Sequence, residues 1–438
     1  MPNQAVTQND KTIQQLIYRG LFKYDNFGVL VPDLADSWSI SDDGITYTIK
    51  LKPNQLWSDS SVISADDLLY TSYKVSDLVG VATDKVDALT VRYTLPNKFS
   101  PFLSLLSIGV MKAGTEERNN PLVPITNGRF RVLRIEKSGP IVKEVFLYNS
   151  NASESIKKIV FRYYENDTEL KTASLLGEID GFVSDKKFDL PNFREYKSPI
   201  QSVYYGLFFN LRNEKFEDVE LRKKLQKVLP MKELISDIGI PVQGAISRSP
   251  FTDRQLTYDL YDKDFREDMS GLHIVITVPD VKVQKDLAGK IKNIWEDKLG
   301  LAVDLDVVDS DKLNSEVIKD RKFEVLLYGQ EIGTDPDRYV NWHSTQKESP
   351  GLNLSGFEHV RADRALEEGR NEIDNSKRVV HYNEFQKVIA EQVPEIFLYH
   401  PFYTYHVSRY ISGMGEKYTF VPADRFLDFG SWKMVATN

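Results

Sequence analysis

The chain has 438 residues, of which 41% are hydrophobic and 27% are charged. One compact core does not support a chain of this length, so we expect two or three domains. The net charge of -8, with no block of lysine and arginine, argues against a nucleic-acid-binding protein. Because the sequence contains no cysteine, disulfides, thiolate metal sites and cysteine nucleophiles are excluded.

The clearest local pattern lies between residues 31 and 75. Within it, residues 46–51 alternate apolar and polar side chains directly after the pair Asp43-Gly44. Alternation with a period of two, next to an Asp-Gly turn, is typical of a hairpin. We therefore predict a hairpin with one buried face.

A capped helix is predicted over residues 65–75. Ser64 is the expected N-cap, and Asp67 follows it by three residues. An acidic side chain at that position can accept a hydrogen bond from the backbone N–H of the cap, which makes this a capping box with Asp in place of Glu.

Three strands and a helix are predicted in the next part of the chain. The strands cover residues 129–135, 141–148 and 159–164. We expect Asp167 to cap the helix and Gly177 to end it.

A second α/β region begins near residue 204. Residues 204–211 form a continuous apolar and aromatic run, which is typical of a strand buried on both faces. From residue 273 to residue 328 the patterns alternate as βαβαβ, with Gly300 ending the first helix, and this order predicts a parallel sheet. Ligands bind beyond the carboxyl ends of such strands, and residues 329–342 follow the third one.

The last predicted elements are a helix and a short strand. Ser376 is the expected N-cap of the helix, and Pro394 ends it. The strand covers residues 397–399, and the aromatic residues 402–405 are expected to carry the chain back to its first region. We therefore predict two lobes, one on each side of two crossings near residues 198–204 and 400–405.

The densest group of polar side chains follows the third parallel strand and consists of Asp335, Asp337, Arg338, Trp342 and His343. The proline between the two aspartates rigidifies them, and no calcium-loop glycine follows, so the pattern does not favour a metal site. One alternative is a binding or cleft-shaping element; the other is that Asp335 caps a helix with the proline at its first position. The six histidines show no metal-ligand spacing, and no catalytic motif is present.

Aromatic residues make up 11% of the chain and concentrate where the chain is predicted to cross between lobes. Tyr204 and Tyr205 lie at the first crossing, and Tyr403 and Tyr405 lie at the second. Aromatic side chains beside a cleft offer a large contact area at low entropic cost, whereas the alternative is that they pack in a core.

Several of these stretches also match the signature of one protein family. They are Ile17-Tyr18-Arg19-Gly20-Leu21, Pro32-Asp33-Leu34-Ala35-Asp36-Ser37-Trp38, Ser41-Asp42-Asp43-Gly44-Ile45-Thr46-Tyr47-Thr48, Trp57-Ser58-Asp59, Ala65-Asp66-Asp67, Gly177-Glu178-Ile179-Asp180, Asn353-Leu354-Ser355-Gly356, Ala362-Asp363-Arg364-Ala365-Leu366 and Pro394-Glu395-Ile396-Phe397-Leu398. Over nearly the whole chain they resemble the family 5 extracellular solute-binding proteins, the oligopeptide, dipeptide and nickel binders of ABC importers. The sequence departs from this pattern at Ser60, where the family has glycine.

The resemblance implies an α/β, two-lobed periplasmic-binding-protein-like fold with mixed sheets and a hinge between the lobes. The first lobe would cover residues 1–200, with a small subdomain at about 80–160. The second lobe would cover residues 201–402, and residues 403–438 would return to the first lobe.

The same resemblance implies that the protein captures a peptide-like or other small solute in an interlobe cleft and delivers it to an ABC permease, with no cofactor and no catalysis. The residues expected to contact the solute are Tyr204, Tyr205, Gln330, Glu331, Asp335, Asp337, Trp342, Tyr403 and Tyr405. Two alternatives stay open. One is a metal-assisted hydrolase that uses Asp335, Asp337 and His343, and the other is a sensor or scaffold subunit with a degenerate cleft.

Members of the resembled family are exported, and many carry an N-terminal lipid anchor. Residues 1–5 lack the basic start and apolar centre of a signal peptide. We expect an extracytoplasmic monomer in which Met1 replaces a removed leader or anchor, and which would reach the membrane only through that missing anchor.

The resemblance also predicts a change in what the protein recognises. In oligopeptide-binding relatives, an aspartate a few residues before the Asp-Pro element pairs with the free amine of the ligand. Alignment on Pro336 places Ile332 at that position. An isoleucine cannot pair with an ammonium group, and a buried unpaired charge is costly. We therefore expect amine recognition to be lost, or rebuilt around Glu331, with Asp335 as the second candidate.

Overall fold

The computed structural model describes residue 2 and residues 7–115, 123–149, 153–246 and 260–435. The chain divides into two compact units. Unit 1 comprises Met1–Ser198 and Tyr403–Asn438, and unit 2 comprises Pro199–Phe402. Within the described residues, no helix is both long enough and apolar enough to cross a membrane.

Short strands and a few helices form the chain up to the first crossing. They are α1 (Gln8–Ile17), β1 (Phe22–Tyr24), β2 (Leu30–Pro32), β3 (Ala35–Ile40), β4 (Thr46–Leu51), α2 (Ala65–Lys74), β5 (Ala82–Lys85), β6 (Thr90–Thr94), α3 (Phe102–Leu105), β7 (Phe130–Ser138), β8 (Ile141–Asn149), β9 (Lys158–Arg162), α4 (Asp167–Leu175), β10 (Gly181–Val183) and β11 (Phe193–Pro199). Strands β3, β4, β6 and β5 form one antiparallel sheet in that order, and β7, β8 and β9 form another.

The predicted hairpin is confirmed by strands β3 and β4. The two strands pair antiparallel, and the turn that connects them contains Gly44, which has a positive φ of 70°. Tyr47, Ile49 and Leu51 of β4 are buried, because alternate side chains of a strand point to one face. The ring of Tyr47 packs on Phe102, with the ring centroids 4.8 Å apart.

Arg19 and Asp33 join two of the stretches that resemble the family signature. Arg19 Nη2 lies 2.7 Å from Asp33 Oδ1, and Arg19 Nε donates to the same carboxylate at 3.1 and 3.2 Å. Asp33 is only 8% exposed, so the paired guanidinium neutralises a nearly buried charge. The two residues therefore fix β1 and β2 relative to the end of α1.

The helix caps were predicted with mixed success. The predicted helix at Ala65 is α2, and the backbone N–H of Ser64 donates to Asp67 Oδ2 at 2.9 Å, so that prediction is confirmed. The prediction for Asp167 is wrong by one residue, because Asn166 is the cap of α4 and accepts from the N–H of Glu169 at 3.0 Å.

Unit 2 is an α/β unit, and its last strand runs on into unit 1. The elements are β12 (Val203–Phe209), α5 (Val219–Lys227), α6 (Met231–Ile235), β13 (Gly239–Pro241), β14 (His273–Pro279), α7 (Lys282–Leu299), β15 (Ala302–Val308), α8 (Ser310–Lys312) with the π-helical turn Leu313–Ile318, β16 (Val325–Glu331), α9 (Tyr339–Trp342), α10 (Val360–Asn371), α11 (Asn375–Gln392) and β17 (Glu395–Ser408). Strands β18 (Ile411–Ser412) and β19 (Lys433–Met434) follow in unit 1.

The sheet of unit 2 is mixed. Strand β14 pairs in parallel with both β15 and β16, so the predicted βαβαβ arrangement is confirmed. Helix α7 ends at Gly300, which adopts the left-handed conformation with φ of 64°. On the other side, β12 pairs antiparallel with β16 and with β17.

Apolar cores cover both faces of this sheet. Leu207 and Phe209 of β12 pack with Trp295 of α7 in one core. Tyr204 and Phe208 of the same strand belong to the other core, which includes residues of α10 and α11. Because alternate residues of β12 enter opposite cores, the strand is buried on both faces as predicted.

Two predictions about the end of unit 2 need correction. The N-cap of α11 is Asp374, not Ser376, because Asp374 Oδ1 accepts from the N–H of Ser376 at 2.8 Å. The predicted short strand at residues 397–399 is part of β17, which continues through the second crossing to Ser408. Strand β10 pairs with the far end of β17, so that end has a partner within unit 1.

Candidate functional site

The two aspartates that follow β16 are each bound by an arginine. Arg378 of α11 contacts Asp335 with two hydrogen bonds, of 2.8 and 3.2 Å. Arg370 of α10 contacts Asp337 Oδ2 through Nη2 at 2.7 Å and through Nε at 2.9 Å. These bidentate contacts join the loop to α10 and α11 through the two carboxylates. The role of the two aspartates as solute contacts stays a prediction.

The alternative in which Asp335 caps a helix is wrong. Asp335 Oδ1 accepts from the N–H of Asp337 at 2.9 Å, which is a local turn. Helix α9 begins at Tyr339, four residues after Asp335. Asp337 Oδ1 accepts the N–H of Tyr339 at 3.0 Å.

Arg338 lies between these ion pairs, with 2% of its surface exposed. Its Nε donates to the carbonyl oxygen of Ala245 at 3.2 Å, and its Nη1 donates to those of Asp335 and Asp337 at 2.7 and 3.0 Å. Burial lowers the pKa of Arg338, although Asp335 and Asp337 act in the opposite direction.

His343 has partners other than the two aspartates. Its Nδ1 accepts from the N–H of Thr345 at 3.2 Å, and its Nε2 lies 3.2 Å from Glu367 Oε1. The ring stacks on Tyr339, with centroids 4.0 Å apart. Among the described residues, no three or more His, Asp or Glu side chains are placed to hold a metal ion. Asp335, Asp337 and His343, the residues named in the hydrolase alternative, thus each have other partners.

Trp342 lies in the core rather than on a surface. Its exposed fraction is 2%. The ring packs on Phe357, Phe385 and Phe397 at centroid distances of 6.3, 6.3 and 6.0 Å. The ring therefore packs in the core of unit 2, and its contact with a solute stays a prediction.

Tyr204 and Gln330, which were both predicted to contact the solute, contact each other, and Tyr204 also contacts a third, buried residue. The two residues are directly opposite in the β12–β16 pairing. Tyr204 Oη lies 2.8 Å from Gln330 Oε1 and 3.1 Å from Glu395 Oε2, and Gln330 Nε2 donates to the carbonyl oxygen of Leu352 at 2.9 Å. These contacts form a continuous hydrogen-bonded chain inside the unit.

Glu395 is 1% exposed. Burial raises its pKa well above the usual range, and the hydrogen bond with Tyr204 lowers it by less. Gly206 makes room for the acid, since a Cβ at residue 206 would lie 1.8 Å from Glu395 Oε1. Burial therefore favours the neutral form of this carboxyl group.

Tyr205 faces the opposite side of the sheet from Tyr204. Its ring stacks on Tyr399, with centroids 4.9 Å apart and an interplanar angle of 9°. Consecutive residues of a strand point to opposite faces, so these two tyrosines do not line one surface. The contact of each tyrosine with a solute stays a prediction.

Tyr403 and Tyr405 lie in the part of β17 that belongs to unit 1. The guanidinium of Arg425 lies over both rings, 5.9 Å from the centroid of Tyr403 and 5.5 Å from that of Tyr405. Tyr405 is 8% exposed, whereas Tyr403 is half-buried. An internal cation therefore already occupies a face of each ring.

Glu331, the last residue of β16, and Ile332, which follows it, differ in their exposure to solvent. Glu331 is exposed, and Ile332 is 6% exposed and belongs to the core that contains Trp342. The N–H of Ile332 donates to the carbonyl oxygen of Ser202 at 2.8 Å. The position at which relatives of the resembled family carry an aspartate is thus filled by a core side chain.

Sequence reasoning missed Glu395 and the arginines that bind the aspartates. Glu395 is a lone acid before the apolar run 396–399, and that pattern was a usable signal. Arg370 and Arg378 gave no such signal, because they lie 33 and 43 residues from their partners.

Comparison with known proteins agrees with this fold. The profile of the family described as "Bacterial extracellular solute-binding proteins, family 5 Middle" matches residues 29–351. The oligopeptide-binding protein AppA of Bacillus subtilis (strain 168) is 20% identical over 89% of this chain and 81% of its own length, and the dipeptide-binding protein of Escherichia coli (strain K12) is 23% identical over 85% and 81%.

The fold is also that of a solved structure, the ABC transporter substrate-binding protein CtaP of Listeria monocytogenes. That chain superposes with a TM-score of 0.83 at 22% identity, over 100% of this chain and 96% of its own. The predicted α/β, two-lobed binding-protein fold is therefore confirmed. By fold and by profile, this chain belongs to family 5 of the bacterial extracellular solute-binding proteins, which serve ABC importers.

Proposed function

We propose that this protein binds a peptide-like solute outside the cytoplasm, as a monomer and without catalysing a reaction, and delivers it to an ABC permease. The proposal is supported by the named relatives, which are an oligopeptide-binding and a dipeptide-binding protein. The interlobe cleft expected from the sequence stays a prediction. Among the predicted solute contacts, Glu331 is exposed and Tyr403 is half-buried.

The burial of Ile332 bears on how the protein would recognise a peptide. A core isoleucine offers no charge to a peptide amine, and Asp335, the second candidate, is already bound by Arg378. Glu331 is the acid next to Ile332 in sequence, and its side chain is exposed. Recognition of a free amine is therefore either lost or carried by Glu331.

The test compares short peptides that have free or acetylated N-termini, with the parent protein and with Glu331→Gln. If Glu331 binds the amine, both acetylation and the substitution weaken binding by about tenfold, as expected for one charged hydrogen bond. Glu416→Gln, an exposed acid in unit 1, serves as the control and should change nothing. Tight binding of free-amine peptides that is insensitive to both changes removes Glu331 from the proposal.

A further inference from the structure

The sheet formed by β7, β8 and β9 has one face in the core of unit 1. Val145 and Leu147 of the central strand β8 are buried there. Glu144, Phe146 and Tyr148 alternate with them along β8, so their side chains point to the other face. All three are partly exposed, and that second face is therefore open to solvent.

A β-bulge brings two arginines of β7 to this open face. Arg131 lies opposite Tyr148 on β8. Arg134, three residues later, lies opposite Phe146. Residues three apart in a regular strand point to opposite faces, but the pairing shifts before Arg134, with Leu133 as the extra residue. The bulge therefore places both guanidinium groups on the same face, with Leu133 exposed at 42% beside them.

Each of these arginines lies over an aromatic ring. The guanidinium carbon of Arg134 is 3.6 Å from the ring centroid of Phe146. That of Arg131 is 5.4 Å from the ring centroid of Tyr148. A guanidinium stacked on a ring still presents its N–H donors at the edge of its plane. The two charges are thus held on the sheet with donors left for an anion.

Strand β9 adds cations on the other side of β8. Lys158 is exposed and lies opposite Tyr148. Arg162 lies opposite Glu144 and binds it. Val160 lies between these two cations and is 42% exposed. Aliphatic surface is therefore present next to the charges on both outer strands.

We call this surface the basic face and define it by its residues, which are Arg131, Leu133, Arg134, Phe146, Tyr148, Lys158 and Val160. It contains three cations and no acid. Arg134 also donates to Glu136 at 2.9 Å, whereas within the described residues neither Arg131 nor Lys158 forms an ion pair. The chain as a whole has a net charge of -8, so this local excess of positive charge is opposite in sign to the protein.

We propose that the basic face binds the surface of a bilayer that contains anionic lipids. Cations attract the phosphate groups of such lipids, and aromatic and aliphatic side chains beside them suit the boundary between headgroups and acyl chains. The cations stand on the two outer strands of the sheet, so they form a two-dimensional array. An acidic peptide segment would follow one strand, whereas a layer of headgroups meets the whole array.

Cosedimentation of the full chain with lipid vesicles tests the proposal. Vesicles of equimolar phosphatidylglycerol and phosphatidylcholine should bind the parent protein. Vesicles of phosphatidylcholine alone should bind it at least about tenfold more weakly, because each lysine or arginine near an anionic surface adds to the attraction. Binding to the anionic vesicles should weaken as the ionic strength rises, since salt screens these charges.

The double variant Arg131→Gln with Lys158→Gln should bind the anionic vesicles at least about tenfold more weakly than the parent. Arg131→Lys keeps the charge and should keep most of the binding. The matched control is Lys50→Gln with Arg92→Gln, which removes two exposed cations from the other antiparallel sheet of unit 1. This control should bind as the parent does.

The outcomes are separate from the proposed function, because no solute takes part in these measurements. Equal binding to both kinds of vesicle, no binding to either at low ionic strength, or full binding by the double variant overturns the proposal. If the parent binds an oligoglutamate peptide but not the anionic vesicles, and the double variant binds neither, the basic face belongs to an acidic protein segment and the lipid is rejected. If the double variant does not fold, the single variants Arg131→Gln and Lys158→Gln decide, and full binding by both overturns the proposal.

Discussion

Glu395, Tyr204 and Gln330 are joined by hydrogen bonds. Which group donates in each bond depends on whether Glu395 carries a proton. When Glu395 is protonated, its O–H donates to Tyr204 Oη and the tyrosine O–H donates to Gln330 Oε1, so both contacts are satisfied. When Glu395 is ionised, the single proton of the tyrosine serves only one of the two acceptors. The neutral acid is therefore the form that this arrangement fits.

Glu395→Gln tests this at the scale of the residue. The folded chain binds the proton of Glu395 more tightly than the unfolded chain does, because burial raises its pKa. The contribution of Glu395 to the free energy of unfolding is therefore complete only below the ordinary carboxyl range of pH. This contribution is lost as the pH rises above that range. A glutamine keeps a donor for Tyr204 without this proton linkage. We expect the variant to be more stable than the parent by about 1 kcal/mol near pH 8, with the gain shrinking toward about pH 4.

Urea unfolding across this pH range measures the difference. Glu416→Gln, at an exposed acid, is the control and should follow the parent. A variant that is less stable than the parent at the alkaline end would show that Glu395 is ionised in the folded protein.

At the scale of the element, Asp67 joins the start of α2 to two other segments. Besides the N–H of Ser64, it accepts Trp57 Nε1 at 3.2 Å and the N–H of Ala113 at 2.9 Å. The carboxylate is 5% exposed, so these three donors satisfy it in place of water. Asp67 therefore joins the Trp-Ser-Asp turn to the start of α2.

Asp67→Ala should therefore destabilise unit 1 by more than the loss of a helix cap alone. We expect a loss of about 2–3 kcal/mol, because the buried donors of Trp57 and Ala113 lose their acceptor. Asp66→Ala is the adjacent control: its side chain is 58% exposed and pairs with Lys85, and such pairs contribute less than about 1 kcal/mol. Denaturant unfolding with equal losses for the two variants would contradict the role given to Asp67.

Elements with a strong local period were predictable, and contacts between distant segments were not. The alternation of residues 46–51 and the βαβαβ pattern depend on burial of one face, which the sequence carries locally. Asn166 and Asp374 are the N-caps in place of the predicted Asp167 and Ser376, because each of these helix starts has several polar residues that can act as the cap.

The candidate site was less predictable for a physical reason. Asp335 and Asp337 were singled out correctly as a polar pair, but their chemistry is decided by arginines on α10 and α11. The enclosure of Trp342 likewise depends on rings from three separate segments. Such packing of remote segments leaves no period in the sequence.

At the scale of the whole molecule, the family and the two crossings predict a change of compactness on binding. Two-lobed binding proteins close by hinges at the segments that join their lobes. We expect the radius of gyration from small-angle scattering to fall when a bound peptide has been verified by calorimetry. The same peptide should leave the scattering of a variant that cannot bind it unchanged. An unaltered radius with a tight ligand would show that this protein does not close.

Strand β17 also has a consequence for the order in which the protein is made. Unit 1 consists of two separated stretches, and its second stretch begins at Tyr403, inside this strand. A ribosome adds residues 199–402 before residues 403–438, so all of unit 2 is synthesised while unit 1 still lacks the partner of β10 and the core residues Phe429 and Trp432. The unit whose synthesis begins first is therefore the last to be completed.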